Sequence, residues 1–509
     1  MDRQSWLGGT LYRPEFEQDS CGFGLIAQMD NKPSHWLVKT AISSLASLTH
    51  RGAVAADGKS GDGCGLLFGK PDSFLRTVAG ELGFTLDALY AAGLVFVGQD
   101  ESVGAGSLKT LQQTLQDQGL SVAGIRVVPI DIEACGEYAL RTLPAIKQIF
   151  VNAPAGMAQD DFERKLYQAR RMAEKENRNS DPAFYIPTLN SQTLSYKGLV
   201  TPENLPVFYR DLQDPRFESA LAVYHQRFFS TNTWPQWKLA QPFRFLAHNG
   251  EINTLMGNRL WAKAREAIMH SEHLDMQAVR PIVQTDGSDS MSLDNMLEGL
   301  MLGGMDVFRA FRMLVPPAWQ NVDNNDRDLR AFYEYNSMHM EAWDGPAGIV
   351  WTTGKYAGCM LDRNGLRPAR YVITKDRHFT VASEIGVWNY KRETWSRKAA
   401  SNLVRLWRSI CRPANSLIPR PSMVGSRTRI PIVNGSRKNA IQLELAEDSS
   451  PLPEMGKSEL LIFQKQFQLT FEERDQILRV LAADGQEAVG SMGDDTPMAV
   501  LSEKSALAV

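Results

Sequence analysis

Cys21 opens the run C-G-F-G and follows twenty residues that contain no continuous hydrophobic region. If the chain is cut just before this cysteine, one residue carries both a thiol and a free α-amino group. An α-amine has a pKa of roughly 8 and can take a proton near neutrality, and a thiol is an easily activated nucleophile. The sequence therefore predicts that Cys21 supplies both nucleophile and base. The alternative is a cysteine that is simply a small buried apolar residue.

Arg51 lies in the run H-R-G-A at 50–53, which follows a predicted helix. Its planar guanidinium can form two parallel hydrogen bonds with a carboxylate, and the glycine beside it lets a ligand approach the backbone. The run therefore predicts a site for a ligand that bears a carboxylate. The alternative is an ion pair at the protein surface.

Two further runs carry polar groups that suit acyl transfer. In L-A-H-N-G-E-I-N-T (246–254), Asn249 offers a side-chain amide and Gly250 offers a backbone N–H that no Cβ obstructs. Together these donors can stabilise the anionic oxygen of a tetrahedral intermediate; the alternative is a simple hairpin turn. In G-S-D-S (287–290), Asp289 lies at a predicted helix start, where a carboxylate can also act only as a cap.

The composition is that of an ordinary globular protein of several domains. The 509 residues carry a net charge of −3, so no basic excess points to nucleic acid or to an anionic membrane surface. No apolar run approaches the ~18 residues that span a bilayer. The five cysteines are scattered without a C-x-x-C pair, which argues against a disulfide framework or a zinc site. We therefore expect a cytoplasmic protein that binds no metal, no nucleic acid and no membrane.

Short strands and amphipathic helices must position these groups. Residues 22–30 and 61–69 are predicted strands, and a helix capped by Ser34 lies between them. Further helices are predicted at 158–178, 290–302, 305–314 and 471–483, and hairpins at 345–361 and 370–383. Thr470 and Glu473 form a predicted capping box for the last helix. Strand pairs mixed with long helices predict stacked α and β layers rather than a βαβ alternation.

A series of long runs occurs in one order across residues 10–392. The runs are C-G-F-G-L-I-A, L-T-H-R-G-A to G-D-G-C-G, F-V-N-A-P-A-G, S-T-N-T, L-A-H-N-G-E-I-N-T, G-S-D-S, V-P-P-A-W-Q-N, S-M-H-M-E-A-W-D-G-P-A-G and L-D-R-N-G-L-R-P-A-R-Y. This series resembles the class II glutamine amidotransferase domain. More closely, it is similar to the amino-terminal part of the glutamate synthase large subunit.

The resemblance implies an α+β fold of the N-terminal nucleophile hydrolase class, a four-layer αββα sandwich of two antiparallel sheets. It also implies roles for the residues named above. Cys21 would attack the side-chain amide of glutamine, while Arg51 would bind the substrate α-carboxylate and Asp289 its α-ammonium. Asn249 and Gly250 would form the oxyanion hole. The expected reaction is hydrolysis of L-glutamine to glutamate and ammonia through a Cys21 thioester.

The resemblance also implies a larger parent enzyme that assimilates ammonia into glutamate by reductive transfer to 2-oxoglutarate. Its reductant is NADPH or ferredoxin, and the family pairs with a small NADPH-oxidising subunit. FMN and an iron–sulfur cluster are expected only in the part of the parent that is missing here. We therefore expect no cofactor in this chain.

The run H-Q-R-F-F-S-T-N-T at 225–233 carries one more phenylalanine, at 228–229, than the corresponding run of the family. An extra residue in a strand turns every later side chain to the other face unless a bulge absorbs it. We therefore expect a disturbed approach to Asn249.

A basic segment at 393–437 interrupts the resemblance. Residues 394–443 contain no Asp or Glu, whereas Arg and Lys recur without helical or strand period. Back-translation of 393–401 permits the family-like string E-T-V-V-E-K-G-R-V in a neighbouring frame, which suggests two compensating frameshifts, near Thr394 and near Arg437. Because an out-of-frame peptide has no evolved core pattern, we expect this segment to be poorly ordered. The alternative is a nucleic-acid-binding arm.

Residues 438–509 resemble the opening of the glutamate synthase central domain. The expected order is a propeptide at 1–20, the amidotransferase domain at 21–392, the aberrant segment at 393–437 and a truncated central domain. Because the synthase half is missing, we expect glutaminase chemistry at most. We also expect an exposed apolar face within 438–509.

Two other functions remain open. The same fold can serve a different ammonia acceptor, such as a phosphoribosyl or sugar-phosphate compound. The chain can also be an inactive remnant or a binding module, an interpretation that the basic segment supports. Loss of residues 1–20 would favour an active nucleophile, whereas their retention would favour the inactive form.

Overall fold

The computed structural model describes residues 21–227, 235–320, 327–384, 386–388, 390, 394–400, 409–410 and 455–485. The predicted propeptide, the additional phenylalanine at 228–229 and most of the basic segment lie outside the described residues. The chain divides into two units, residues 1–439 and 440–509, and each is described by itself.

The strands of the first unit are Gly22–Gln28 (β1), Ser60–Gly69 (β2), Tyr90–Val97 (β3), Ser121–Val127 (β4), Ala145–Asn152 (β5), Thr193–Val200 (β6), Leu221–Gln226 (β7), Leu246–Gly250 (β8), Ala347–Thr352 (β9), Tyr356–Leu361 (β10), Arg370–Thr374 (β11), His378–Ala382 (β12), Trp395–Ala400 (β13) and Ser409–Ile410 (β14). Its helices are His35–Ala46 (α1), Asp72–Glu81 (α2), Glu101–Asp117 (α3), Glu137–Leu140 (α4), Gln159–Asn177 (α5), Leu205–Phe208 (α6), Leu255–Glu266 (α7), Met276–Val279 (α8), Asp289–Leu302 (α9), Val307–Leu314 (α10) and Arg327–Ser337 (α11). Among the helices that the structure describes, none combines the length and the apolar character of a bilayer-crossing helix.

The described strands form three sheets in which neighbouring strands run antiparallel. The seven-stranded sheet has the order β13-β11-β12-β1-β7-β2-β6, the four-stranded sheet the order β14-β10-β9-β8, and the three-stranded sheet the order β3-β5-β4. β1 is a central strand, in which Gly22 pairs with Gln226 of β7 and Gly24 pairs with Ala382 of β12. Cys21 therefore precedes a strand in the middle of the largest sheet.

Alternate side chains of the two larger sheets define the layers. Phe23 and Leu25 of β1 pack into a core between the sheets, together with Val350 of β9. Ile349 and Trp351 lie on the other face of β9 and pack in a core shared with α9 and α10. A further core covers the outer face of the seven-stranded sheet with α1 and α2. This order of helix, sheet, sheet and helix confirms the predicted αββα sandwich.

The three-stranded sheet packs with α3 and α5 in a core of its own. The prediction of two sheets does not include it. All eight residues of β3 are buried, so the strand lacks the alternation of apolar and polar residues that identifies a half-buried strand in a sequence.

Most of the predicted elements that can be compared are confirmed. α1 begins after Ser34, whose Oγ accepts a hydrogen bond from the backbone N–H of Leu37 at 3.3 Å. The helices predicted at 158–178, 290–302 and 305–314 correspond to α5, α9 and α10, and the two predicted hairpins correspond to β9–β10 and β11–β12.

Within the basic segment, for which poor order is expected, the structure describes Trp395–Ala400. These six residues form β13, an edge strand that pairs with β11. Backbone N–H and C=O groups form a ladder regardless of the side chains, so strand pairing needs no evolved core pattern. β14 pairs with β10 in the same way.

In the second unit, the described residues 455–485 are mainly helical. The helices are Lys457–Gln466 (α12) and Arg479–Asp484 (α13), and a π-helical turn covers Glu473–Leu478. The predicted capping box is confirmed, because Thr470 N donates to Glu473 Oε2 at 2.9 Å and Glu473 N donates to Thr470 Oγ1 at 3.1 Å. Phe467 and Phe471 are 73% and 71% exposed, in agreement with the expected apolar face.

Candidate active site

Cys21 stands at the outer end of a buried strand. The seven residues of β1 are buried, whereas Cys21 itself is partly exposed. A Cβ on Gly24 would lie 2.2 Å from the ring of Tyr224, so glycine leaves room for this ring against β1. The glycine-rich run thus fixes the strand that presents the cysteine.

Asn249 and Gly250 end β8 and lie beside this cysteine. The Asn249 side chain is 5% exposed, and its Nδ2 donates to the backbone oxygen of Cys21 at 2.6 Å. Gly250 has a φ of +140°, and a Cβ there would lie 1.7 Å from the carbonyl oxygen of Pro346. β8 pairs with β9, far along the chain, so the alternative of a hairpin turn at Asn249–Gly250 is wrong. The structure brings the predicted nucleophile and both predicted oxyanion donors together.

Asp289 is the first residue of α9, and its carboxylate is held by three donors. Oδ2 accepts from Ile252 N at 3.0 Å, and Oδ1 accepts from the N–H and the Oγ of Ser290 at 2.6 and 3.1 Å. The helix cap is Ser288, whose Oγ accepts from Met291 N. Asp289 is therefore not the cap, and it connects α9 to the segment that follows Gly250.

Arg51 also lies beside the start of β1, but it already has a carboxylate partner. Its Nε donates to Glu384 Oε2 at 3.1 Å, its Nη2 contacts the same oxygen, and His50 Nε2 lies 2.9 Å from Glu384 Oε1. A Cβ on Gly22 would lie 3.2 Å from Arg51 Cγ, so the arginine stem packs against the residue after Cys21. The alternative of an ion pair is thus observed, and the role in substrate binding stays a prediction.

Asp62 of β2 also lies at this end of the sheet and is absent from the predicted site. It is 6% exposed, and within the described residues neither carboxylate oxygen accepts a hydrogen bond. Arg227 Nε lies 3.4 Å from Asp62 Oδ2, and Arg227 has a φ of +81° at the end of β7. Burial raises the pKa of Asp62 to about 7, against the effect of the nearby N–H groups of Ala53 and Asp62. The signal in the sequence was the run G-D-G-C-G.

The surroundings of Cys21 disfavour its thiolate. Burial, and then the carboxylates of Asp62 and Asp289, raise the pKa of the Cys21 thiol to about 12. Arg367 acts in the opposite direction. Arg367 belongs to the run L-D-R-N-G-L-R-P-A-R-Y. The site therefore needs a base if the thiol is to act as a nucleophile near neutral pH.

Comparison with protein families shows which family this chain belongs to. A family model described as class II glutamine amidotransferases matches residues 21–402, from Cys21 to a point beyond the predicted domain end at 392. The chain belongs to this family. A second model, described as the glutamate synthase central domain, matches residues 463–509.

The chain is also similar to curated glutamate synthases, which is a more specific similarity than the family match. The glutamate synthase [NADPH] large chain of Bacillus subtilis is 39% identical over 97% of this chain and 33% of its own length. The ferredoxin-dependent glutamate synthase 1 of Arabidopsis thaliana is 36% identical over 96% and 30%. The glutamate synthase [NADH] of Saccharomyces cerevisiae is 36% identical over 98% and 24%. The chain thus spans a third or less of the length of these relatives.

Proposed function

We propose that this chain hydrolyses L-glutamine to glutamate and ammonia as the glutaminase part of a glutamate synthase. The contact of 2.6 Å between Asn249 Nδ2 and the Cys21 carbonyl oxygen is the observation that carries the proposal. It joins two sequence-distant runs, one with a nucleophile and one with an oxyanion donor, at one end of the sandwich. Membership of the class II glutamine amidotransferases supports glutamine as the substrate.

The reaction proceeds by acyl transfer through the Cys21 sulfur. The sulfur attacks the side-chain carbonyl carbon of glutamine, and the anionic oxygen that forms accepts hydrogen bonds from Asn249 Nδ2 and Gly250 N. The carbon–nitrogen bond then breaks, and the nitrogen leaves as ammonia with the thiol proton. Water attacks the resulting thioester, which releases glutamate and restores the thiol. The net change consumes one water for each glutamine.

The α-amino group of Cys21 acts as the base. With the peptide bond to Ser20 intact, the nitrogen of Cys21 is an amide and cannot take a proton, and the thiol has a pKa of about 12. Cleavage before Cys21 converts this amide to an amine with a pKa of roughly 8, next to the sulfur. The high thiol pKa supports removal of residues 1–20 as the activating step.

Charged side chains on either side of the thiol bind the zwitterionic substrate. Asp289 binds the α-ammonium, and Arg51 binds the α-carboxylate. Because Arg51 is paired with Glu384, its guanidinium must either contact both carboxylates or give up Glu384 when the substrate binds. A free amino acid offers both charges, so this pair selects glutamine over a glutamine residue in a peptide.

We further propose that the ammonia serves glutamate synthesis in a cytoplasmic parent enzyme with FMN, an iron–sulfur cluster and a small NADPH-oxidising subunit. The match of residues 463–509 to the glutamate synthase central domain supports this acceptor over a phosphoribosyl or sugar-phosphate acceptor. The four described cysteines are free, which fits a reducing compartment.

Replacement of the nucleophile tests the proposal. Cys21→Ala removes the only sulfur that the reaction uses and should abolish ammonia release from glutamine. Cys359→Ala is the matched control, because Cys359 is buried in β10 and should leave the rate unchanged. Ammonia release is measured with the purified chain, and the intact mass reports the mature N-terminus.

An active chain that begins at Cys21 is the expected result. Hydrolysis that survives in Cys21→Ala would show that the nucleophile is assigned wrongly. A chain that keeps residues 1–20 and releases no ammonia would favour the inactive remnant.

A further inference from the structure

A buried polar network lies next to Asn249 and Gly250, the proposed oxyanion donors. His248, the residue before Asn249, has its imidazole Nδ1 2.9 Å from Ser290 Oγ. Gln241 Nε2 lies 3.3 Å from both Ser290 Oγ and the backbone oxygen of His248, and Gln241 Oε1 accepts from His248 N at 2.8 Å. His248, Gln241 and Ser290 are all buried. The network thus connects the strand that carries Asn249 to the helix that begins at Asp289.

One assignment of donors and acceptors satisfies every contact of this network. Gln241 Oε1 accepts from a backbone N–H, so Gln241 Nε2 is the donor toward Ser290. Ser290 has a single hydroxyl proton, which it donates to Asp289 Oδ1 at 3.1 Å. Ser290 Oγ must therefore accept from His248, whose proton lies on Nδ1. The chain of donation runs from His248 and Gln241 through Ser290 to Asp289.

Burial keeps the imidazoles of His248 and His225 uncharged. Burial lowers the pKa of His248, and the Asp289 carboxylate acts in the opposite direction. The imidazole of His225 donates from Nε2 to the His248 carbonyl oxygen at 3.1 Å, and burial lowers its pKa to about 3. Both rings are therefore neutral near pH 7.

We propose that Ser290 and His248 are positioning residues that fix the Asp289 carboxylate as the receptor for the substrate α-ammonium. Ser290 donates to one carboxylate oxygen and His248 orients Ser290, while Ile252 N holds the other oxygen. These hydrogen bonds hold Asp289 against the segment that follows Gly250. The inference rests on the proposed glutaminase function and deepens it, because it explains how the site selects a substrate with a free α-ammonium.

The test compares glutamine with its analogue that lacks the α-amino group, 5-amino-5-oxopentanoate. Ser290→Ala removes one hydrogen bond to a charged group, which should lower kcat/KM for glutamine about tenfold, mainly through KM. The analogue makes no contact that depends on Asp289, so its kcat/KM should stay unchanged. Ser290→Thr keeps the hydroxyl and should restore most of the discrimination.

Ser292→Ala is the matched control, because Ser292 is buried on the same helix and bonds Gln284 and Ser288 carbonyl oxygens rather than Asp289. It should leave the ratio of kcat/KM for glutamine to kcat/KM for the analogue unchanged. His248→Asn can keep a donor near the Nδ1 position. It should therefore discriminate between glutamine and the analogue better than His248→Ala does.

An equal loss on both substrates in Ser290→Ala, or no loss on glutamine, would overturn the inference while leaving the glutaminase proposal in place. Binding of both compounds to Cys21→Ala, measured by calorimetry, repeats the comparison without catalysis. A wild-type chain that neither hydrolyses nor binds glutamine would overturn both proposals together.

Discussion

The two carboxylates that raise the thiol pKa of Cys21 lie in opposite environments. Asp289, at the start of α9, accepts hydrogen bonds from Ile252 N and from the N–H and Oγ of Ser290. Asp62, in β2, accepts no hydrogen bond from the described residues, and the nearest cation recorded beside it is Arg227 at 3.4 Å. One carboxylate is held by three hydrogen-bond donors, whereas the partner recorded for the other among the described residues is the Arg227 ion pair.

The site therefore has two sides. Hydrogen-bond donors fix the carboxylate on the prearranged side, which contains Asp289, whereas the side that contains Asp62 has no such set of donors among the described residues. A carboxylate with its donors in place keeps its charge and its orientation before a ligand arrives, which favours binding of an ammonium group. A buried carboxylate without donors destabilises the folded protein. The β8–α9 side therefore carries the proposed recognition and oxyanion functions, whereas on the β2–β7 side a change of charge is expected to alter stability.

The largest effect is expected on the prearranged side. Asn249→Ala removes a donor to the anionic oxygen of the intermediate, which typically lowers kcat by about 10²- to 10³-fold. KM should change little, because this interaction forms in the transition state and not in the ground state. Steady-state kinetics of ammonia release measure both constants.

Asn258→Ala is the control for this variant. Asn258 is a buried asparagine of α7, whose Nδ2 donates to Ala342 O at 3.1 Å and whose Oδ1 accepts from Thr254 Oγ1 at 2.7 Å, so its recorded side-chain contacts include no residue of the proposed site. Its replacement should reduce stability and leave kcat near the wild-type value. An Asn249→Ala variant that loses activity through KM alone would contradict the oxyanion role.

A smaller effect is expected at Arg51. Arg51→Lys replaces a two-pronged donor by a point charge, so KM for glutamine should rise about tenfold with a lesser change in kcat. The pair with Glu384 complicates the result, since the substitution also weakens that contact.

Glu384→Gln separates the two explanations. If Arg51 binds the substrate carboxylate, loss of the competing charge should leave KM unchanged or lower it. If Arg51 acts only through its ion pair, Glu384→Gln should raise KM as Arg51→Lys does, and the predicted substrate role would be wrong.

The sequence predicted the prearranged side well because its information is local. Asn249, Gly250 and Asp289 each lie in a short run whose strand end or helix start fixes the backbone, and the structure places them near one another. The other side depends on contacts distant in sequence. Glu384 lies 333 residues from Arg51, and no spacing rule predicts such a pair.

Asp62 was missed for the same reason. Its run G-D-G-C-G signals a strand entered through glycines, but its environment depends on β2, β7 and the segment around Ala53 meeting at one end of the sheet. The three-stranded sheet was also missed, and its fully buried strand β3 lacks the alternation of apolar and polar residues that identifies a half-buried strand.

The smallest effect concerns stability. The pKa of Asp62 is about 7 in the folded protein and 3.8 in its ordinary range, so the folded chain binds the proton more tightly. The contribution of Asp62 to the free energy of unfolding therefore falls as pH rises from about 4 to about 7, and stays low above that. Asp62→Asn removes this charge, so relative to the wild type it should stabilise the chain more at pH 8 than at pH 4, by up to about 4 kcal/mol.

Asp211→Asn is the matched control, because it alters a buried carboxylate that has partners. Asp211 accepts from Tyr196 Oη at 2.8 Å and from Arg126 Nη1 at 3.2 Å. Its loss should destabilise the chain at pH 8, with the opposite sign to Asp62→Asn. Urea unfolding at both pH values, followed by tryptophan fluorescence, measures the two variants. If Asp62→Asn destabilises at pH 8 as Asp211→Asn does, the Arg227 contact already satisfies Asp62, and both sides of the site are equally prearranged.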